Sequence, residues 1–391
     1  MITDALLWVN RPEILLQRVG GLTVLERHLH TLSRAGLRRV WVPLGPASVP
    51  PARVRLPPGL DIIWSQPRTD TRGALPPEAC QPPYLVLSGN HFIRVDTLAH
   101  IARNPSGQHS AFVDSARTSV VQIVPTRDEA LSPAHEQPLP EGSAIPLQQP
   151  LSDESTLDWL MAVGIKSYDG FMAKHFDRHI SLAISRRLMD TPVSPNMMTV
   201  FSCLVGLAGT FCFLSHSRGA HLLGALLVWA HAVLDGCDGE LARVRFQESR
   251  LGGEIDFWGD NLVHLSLFGC LGAGFARADA SLLPLVASAM ATVGIIGSAV
   301  LVDRRRSVRR QIRPSGAPRP AGQPGLGALL ARLEIILEQR DFIYLLLLLA
   351  YIGHTYEFLW AGAVGALLFF MMLIQLGRAD REQTLQPHNA D

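Results

Sequence analysis

The chain has 391 residues, with 35 Lys and Arg against 34 Asp and Glu, and a formal net charge of +1. That balance leaves no electrostatic footprint for nucleic acid, and no stretch interleaves basic and aromatic residues, so no nucleic-acid partner is expected. Five cysteines without metal or disulfide spacing exclude a disulfide scaffold and suit a reducing cytosol.

The hydrophobic share of 48% mixes two different halves. Up to about residue 151 the chain is rich in proline and has no long apolar run. Beyond Pro195 apolar runs dominate, and the length permits two domains or more. The N-terminus lacks a basic run, and its apolar stretch is too short for a signal peptide, so the first half is expected in the cytosol.

In chain order, residues 5–9 are predicted as a strand. After Gly20 and Gly21, the residues Leu22, Leu25, Leu29 and Leu32 share one helical face, and Gly36 is expected to stop that helix. Strands are predicted over 39–43, 61–64 and 84–88, with a helix over 95–103. This alternation predicts a parallel α/β sheet.

Two stretches resemble the sugar nucleotidyltransferases. They are Val19-Gly20-Gly21-Leu22-Thr23-Val24-Leu25-Glu26-Arg27, with the helix and strand that follow, and Val86-Leu87-Ser88-Gly89-Asn90-His91-Phe92. The resemblance implies a Rossmann-like nucleotidyltransferase-like domain over residues 1–150. Where that family's glycine-rich basic loop belongs stand Asn10, Arg11, Pro12, Glu13 and Ile14, with no glycine to wrap a triphosphate. Asn90 replaces the metal-binding acid and cannot offer Mg²⁺ a full charge. The domain is therefore expected to be an inactive relic. An unrelated α/β domain remains the alternative.

Residues 125–150, rich in Pro, Glu, Gln and Ser, are predicted as a linker or long loop. Residues 151–190 continue as linker and juxtamembrane segment, with helical periodicity over 157–165 and 171–189. In the second helix Phe171, Phe176, Ile180, Ala183, Ile184 and Leu188 alternate with Lys174, Arg178, Arg186 and Arg187. That pattern predicts an interfacial amphipathic helix. Ser194 then caps, and Pro195 suits a first helical turn.

Six apolar spans are predicted at 195–215, 219–241, 254–276, 281–302, 341–355 and 357–377, each near the roughly 20 residues a bilayer needs apart from the short fifth. Residues 191–380 thus form an all-α polytopic membrane domain, with a tail at 381–391. Arg304, Arg305, Arg306, Arg309, Arg310 and Arg313 follow the fourth span, and their bias places that loop in the cytoplasm. Alternation then puts the N-terminus, the end of the second span and the C-terminus on the same side.

At that end of the second span lies an acidic run. Asp235 and Asp238 are three apart, Asp256 and Asp260 four apart, so each pair shares a helix face if both segments are helical. Four carboxylates in a small space need a cation. All-oxygen ligands select Mg²⁺, Mn²⁺ or Ca²⁺, and four acids suit a two-metal site for phosphoryl displacement. Gly239 and Ala242 keep the surface small, and Arg243 supplies a planar cation for phosphate. His231 and His264, on apolar helices nearby, are expected to be packing residues.

The pattern Asp-x2-Asp-Gly-x2-Ala-Arg-x8-Gly-x3-Asp-x3-Asp, fixed by Asp235, Asp238, Gly239, Ala242, Arg243, Gly252, Asp256 and Asp260, resembles the signature of the CDP-alcohol phosphotransferases. The run from Thr191 to Thr199 is similar to that family's Thr-Pro-Asn-x-x-Thr start. The resemblance implies a CDP-linked donor, either CDP-diacylglycerol or a CDP-polyol, on two Mg²⁺ or Mn²⁺ ions, with an alcohol attacking and CMP leaving. By position it makes Asp235, Asp238, Asp256 and Asp260 metal ligands and Asp260 also the general base. Gly239, Ala242, Arg243, Gly252, Asn196 and Thr199 would shape the CDP pocket.

Arg187, Arg250, Arg304 and Arg305 are the candidate acceptor-binding residues, for an alcohol or polyol phosphate beside membrane lipid. A homodimer is implied by the family alone. The fusion of a nucleotidyltransferase-like domain to this membrane domain resembles enzymes that make CDP-inositol and condense it with inositol phosphate. A binding or regulatory role for the N-terminal domain is the other reading. A transporter is disfavoured, because transport sites lie near the bilayer midplane and these acids sit at one membrane face.

Overall fold

The computed structural model describes residues 1–9, 12–42, 55–64, 69–70, 73–74, 82–105, 107–125, 135–149, 151, 154–162, 172–312 and 342–385. Asn10, Arg11, Cys80, Phe171, Arg313 and the last six residues of the tail lie outside them. The chain divides into two units, one of residues 1–163 with 189–191 and 244–246, the other of the remainder.

The first unit is built on a seven-stranded sheet of β1 (Asp4–Trp8), β2 (Arg39–Val42), β3 (Asp61–Trp64), β4 (Tyr84–Ser88), β5 (Ser110–Val113), β6 (Ser119–Val124) and β7 (His135–Pro138), in the order β7-β5-β6-β4-β1-β2-β3. The strands β4, β1, β2 and β3 are parallel, as expected. The sheet as a whole is mixed, because β6 runs antiparallel to both β4 and β5. The cause is local: residues 114–118 join β5 to β6 through a turn with Arg117 at φ 57°, and a link that short closes only an antiparallel pair.

The stretch predicted as a linker also differs. Its described part supplies β7, paired in parallel with β5, and a short strand at Ala144–Pro146 paired with His91–Ile93. Every residue of β7 is exposed, so a polar, proline-ended sequence is tolerated at this sheet edge and carries no apolar signal. Helix α1 (Val24–Arg34) covers one face with α2 (Val95–Arg103), and α3 (Glu154–Met161) adds Leu160 to the same core, so the first unit extends past residue 150.

Helix α1 begins as its sequence dictates. Thr23 Oγ1 accepts from the Glu26 amide, Glu26 Oε2 accepts from the Thr23 amide at 2.7 Å, and Gly36 at φ 97° follows its end. Leu25, Leu29 and Leu32 are fully buried, as the periodicity predicts.

His28 shares that face and hydrogen-bonds the Gly89 carbonyl at 3.1 Å through Nε2, and burial pushes its pKa down to about 4. The folded state therefore keeps His28 neutral. Its contribution is whole above the unfolded value near 6.5 and is lost as pH falls toward 4, at a cost of about 3 kcal/mol when complete. Pulse proteolysis of the first unit at pH 7 and pH 5 is expected to show lower stability at pH 5, with a flatter dependence in His28→Gln.

The second unit is helical. A π-helical turn, Ala173–Asp177, leads into α4 (Arg178–Leu188), followed by α5 (Pro195–Phe211), α6 (Arg218–Val244), α7 (Arg250–Ala278), α8 (Leu283–Ile312), α9 (Phe342–Ile352) and α10 (Thr355–Leu385). Ser194 caps α5 by accepting from the Met197 amide at 3.2 Å, with Pro195 in the first turn.

Among the described residues four stretches, Pro195–Leu214, Arg218–Val244, Leu283–Arg306 and Thr355–Leu376, are long and apolar enough to cross a membrane. The third predicted span falls in α7, which is long enough but carries Arg250, Glu254, Asp256, Asp260 and Arg277. The fifth is only α9, 11 residues ended by Gly353 at φ 87°. Arg304, Arg305, Arg306, Arg309 and Arg310 are not in a loop, for α8 continues through them to Ile312. Arginine is a good helix former and the helix has no reason to stop where it turns polar.

Small residues let these helices close on one another. A Cβ on Gly206 would stand 2.9 Å from His231 and 3.0 Å from Val263, so α5 crosses both α6 and α7 there. Asp177 Oδ1 accepts from Trp229 Nε1 at 3.1 Å and from the Tyr344 hydroxyl, which ties the turn before α4 to α6 and α9.

Candidate active site

Helix α6 brings Asp235 and Asp238 to its C-terminal part, and α7 brings Asp256 and Asp260 to its N-terminal part. Carboxylate oxygens of Asp235, Asp238 and Asp256 all lie within 4.8 Å of one another. Asp235 and Asp238 are buried, and Asp256 is half-buried. At that spacing, three ionised carboxylates repel by about 3 kcal/mol per pair at an effective dielectric of 20. A hard divalent cation reverses the sign, and an all-carboxylate donor set is the one such ions select. The residues present therefore fit a hard divalent cation.

Thr199 Oγ1, on α5, hydrogen-bonds Asp238 Oδ2 and so fixes one carboxylate of the three. Gly252 opens α7 under the Ser249 cap, and a Cβ there would meet Asn196 Oδ1 at 2.9 Å. The Arg243 guanidinium folds back over Gly239, where a Cβ would stand 3.1 Å from Nη1. Ala242 is half-buried on the same helix. The predicted CDP-pocket residues thus fall on the converging ends of α5, α6 and α7.

Asp260 is not among the three that converge. It lies one turn further along α7, with Oδ1 3.4 Å from Nε2 of buried His231. His231, expected as a packing residue, is therefore placed against an acid of the motif. His264 packs edge-on to Phe342 at 5.4 Å between ring centroids, as expected of a packing residue.

The four candidate acceptor arginines are not brought together. Arg250 pairs with Glu254 at 2.8 Å on the surface, Arg187 donates to the Ala183 carbonyl in its own helix, and Arg305 donates to the Leu373 carbonyl at 2.7 Å. Arg304 is exposed. Arg306, which follows Arg305 on α8, reaches α7: its guanidinium lies 4.5 Å from the centre of the Phe257 ring, next to Asp256.

Sequence reasoning missed two clusters. One is Glu240, fully buried in α6 among donors from α4. The other is in the first unit, where Ser88 Oγ lies 3.1 Å from His91 Nδ1, and His91 Nε2 lies 3.2 Å from Asp114. A cavity of about 220 Å³ opens beside it, lined by Trp8, Ser88, Asn90, His91, Thr118 and Gln122 among others. It sits at the C-terminal ends of β1 and β4, where the strand order reverses. Only the Val86–Phe92 stretch signalled it beforehand.

Residues 192–352 match the family model of the CDP-alcohol phosphatidyltransferases. Among curated relatives, the chain is 36% identical over 144 residues to a bifunctional IPC transferase and DIPP synthase of Rubrobacter xylanophilus, covering 36% of this chain and 31% of that protein. It is 32% identical over 108 residues to an archaetidylinositol phosphate synthase of Pyrococcus horikoshii, covering 27% of this chain and 56% of that one. The chain spans less than a third of the length of the bifunctional relatives it matches. A crystal structure of Mycobacterium tuberculosis phosphatidylinositol phosphate synthase with CDP-DAG bound aligns at 19% identity and TM-score 0.35, over 51% of this chain and 93% of that one.

Proposed function

We propose that the membrane domain transfers a substituted phosphate group from a CDP-linked donor to an alcohol and releases CMP. The observation that carries this reading is the convergence of Asp235, Asp238 and Asp256, at matching positions of the motif, with Thr199 holding Asp238. Mg²⁺ or Mn²⁺ held by these acids would neutralise the pyrophosphate and stabilise charge on the leaving CMP. Asp260 completes the ligand set and takes the hydroxyl proton of the acceptor. Arg243 faces phosphate, while Gly239, Ala242, Gly252 and Asn196 leave room for the nucleotide. Names of the relatives favour a polyol-phosphate acceptor, with Arg306 joining Arg304 as its cationic contacts.

In this reading all six helices from α5 to α10 span the cytoplasmic membrane, the acids and both termini face the cytoplasm, and two copies associate. The test is CMP release by purified protein in detergent with Mn²⁺. CDP-diacylglycerol and CDP-inositol are each offered inositol, inositol phosphate, glycerol phosphate and serine. One productive pair names the reaction. No release from any pair, with no metal-dependent CDP binding, overturns it.

For the N-terminal unit, its cavity and the buried Asn90 Oδ1, which has no hydrogen-bond partner among the described residues, favour a binding module descended from a nucleotidyltransferase. Filling the cavity by Ser119→Trp is expected to leave CMP release by the membrane domain at its wild-type rate while altering acceptor affinity. Unchanged affinity for every acceptor counts against that role.

A further inference from the structure

Glu240 occupies one of the unfixed positions of the acidic motif, yet its side chain is fully buried. Its Oε1 accepts from Arg178 Nη1 at 2.7 Å and from Ser181 Oγ at 2.7 Å, and its Oε2 accepts from Ser185 Oγ at 2.7 Å. All three donors stand on one face of α4. One turn earlier on α6, a Cβ on Gly236 would meet Ser181 and Arg178 at 3.5 Å, and Cys237 Sγ reaches the Ser181 carbonyl at 3.5 Å. The polar face of α4 is therefore turned inward onto α6, while Ile180 on its other side and Phe176 in the turn before it are exposed.

Stability alone does not call for this arrangement. A buried ion pair is costly to desolvate, and apolar residues of similar volume serve as well or better. What directed hydrogen bonds add is angular definition. On its other sides α6 meets α5 and α7 largely through glycines and aliphatic groups, contacts that resist separation more than rotation, and its polar contacts there, Thr199 with Asp238 and His231 with Asp260, involve the acids that have to be aligned. Side-chain ends lie about 5 to 6 Å from a helix axis, so a rotation of roughly 20° displaces a carboxylate by about 2 Å. Asp235 and Asp238 lie roughly 140° and 200° around α6 from Glu240, on its opposite side, and any rotation carries them away from Asp256 on α7.

We propose that Glu240 is a positioning residue: held by Arg178, Ser181 and Ser185, it fixes the rotation of α6 that aligns Asp235 and Asp238 with Asp256 for a divalent cation. This rests on reading those three acids as the metal site. Glu240 touches no substrate; its effect is on how tightly the cation is held.

The experiment measures Mn²⁺ binding to the full chain in detergent by loss of the free-ion electron paramagnetic resonance signal, without substrate, alongside the melting temperature. Glu240→Gln is expected to weaken Mn²⁺ binding about 10-fold and Ser185→Ala about 3-fold, with CMP release at saturating Mn²⁺ within about 2-fold of wild type. The paired replacement Arg178→Met with Glu240→Leu keeps the core packed and uncharged. It is expected to melt at or above the wild-type temperature and still bind Mn²⁺ about 10-fold more weakly. Variants that melt lower yet bind Mn²⁺ as wild type does reduce Glu240 to a stability element and overturn the proposal. A wild-type protein that binds no Mn²⁺ overturns the metal site, and the positioning role with it.

Discussion

Asp260→Asn is expected to lower CMP release by roughly 10³-fold while leaving Mn²⁺ bound, within the 10² to 10⁴ that a positioned general base contributes. The reason lies in where the side chain sits. Asp235, Asp238 and Asp256 stay close together without it and supply most of the ligand set, whereas Asp260 stands one turn along α7 with His231 Nε2 at 3.4 Å. Asn keeps the shape and one oxygen but accepts no proton from an attacking hydroxyl. The two roles carried by the motif at this position then separate in one variant, since binding reads ligation and turnover reads proton transfer. The measurement is CMP release at saturating donor beside Mn²⁺ binding. Turnover above a tenth of wild type removes Asp260 as the base. Loss of Mn²⁺ binding in step with turnover makes it chiefly a ligand.

How far the sequence carried depended on whether the signal was local. The capping box of Thr23 and Glu26, the leucine face of α1 and the Ser194-Pro195 start of α5 are written within a few residues and fold as read. The acid spacing on α6 and α7 was legible for the same reason, because i, i+3 and i, i+4 pairs share a face on any helix.

Signals that need a distant partner were not legible. Strand β7 is recognisable only through its pairing with β5, since an exposed edge strand buries nothing and shows no alternation. Glu240 reads as one more polar residue near a helix end; its donors stand 55 to 62 residues away in α4. His231 reads as a packing histidine until α7 lays Asp260 beside it. In sequence the arginine run after the fourth span predicts a cytoplasmic loop, with Arg304 and Arg305 as acceptor candidates. On α8 they point in different directions, so Arg305 reaches the Leu373 carbonyl and Arg306 reaches Phe257.

Asp238→Ala is expected to invert the effect of metal on stability. In the wild type, Asp235, Asp238 and Asp256 crowd their oxygens within 4.8 Å, and Asp238 is 7% exposed, so with chelator present the site strains the fold by about 3 kcal/mol per ionised pair. Mn²⁺ converts that repulsion into attraction and stabilises by mass action, about 2.7 kcal/mol at a hundred times its dissociation constant. Alanine at 238 removes two of the three repulsive pairs and one ligand together. The variant therefore melts above the wild type in chelator and below it in excess Mn²⁺, and it releases no measurable CMP. Thr199, left with its hydroxyl near the Pro195 carbonyl at 3.2 Å, keeps a partner, so the gain in chelator is not cancelled by a stranded donor. Melting curves of both proteins with chelator and with Mn²⁺ decide it. Parallel shifts in the two proteins, rather than a crossing, show that Asp238 neither feels the other acids nor holds the cation.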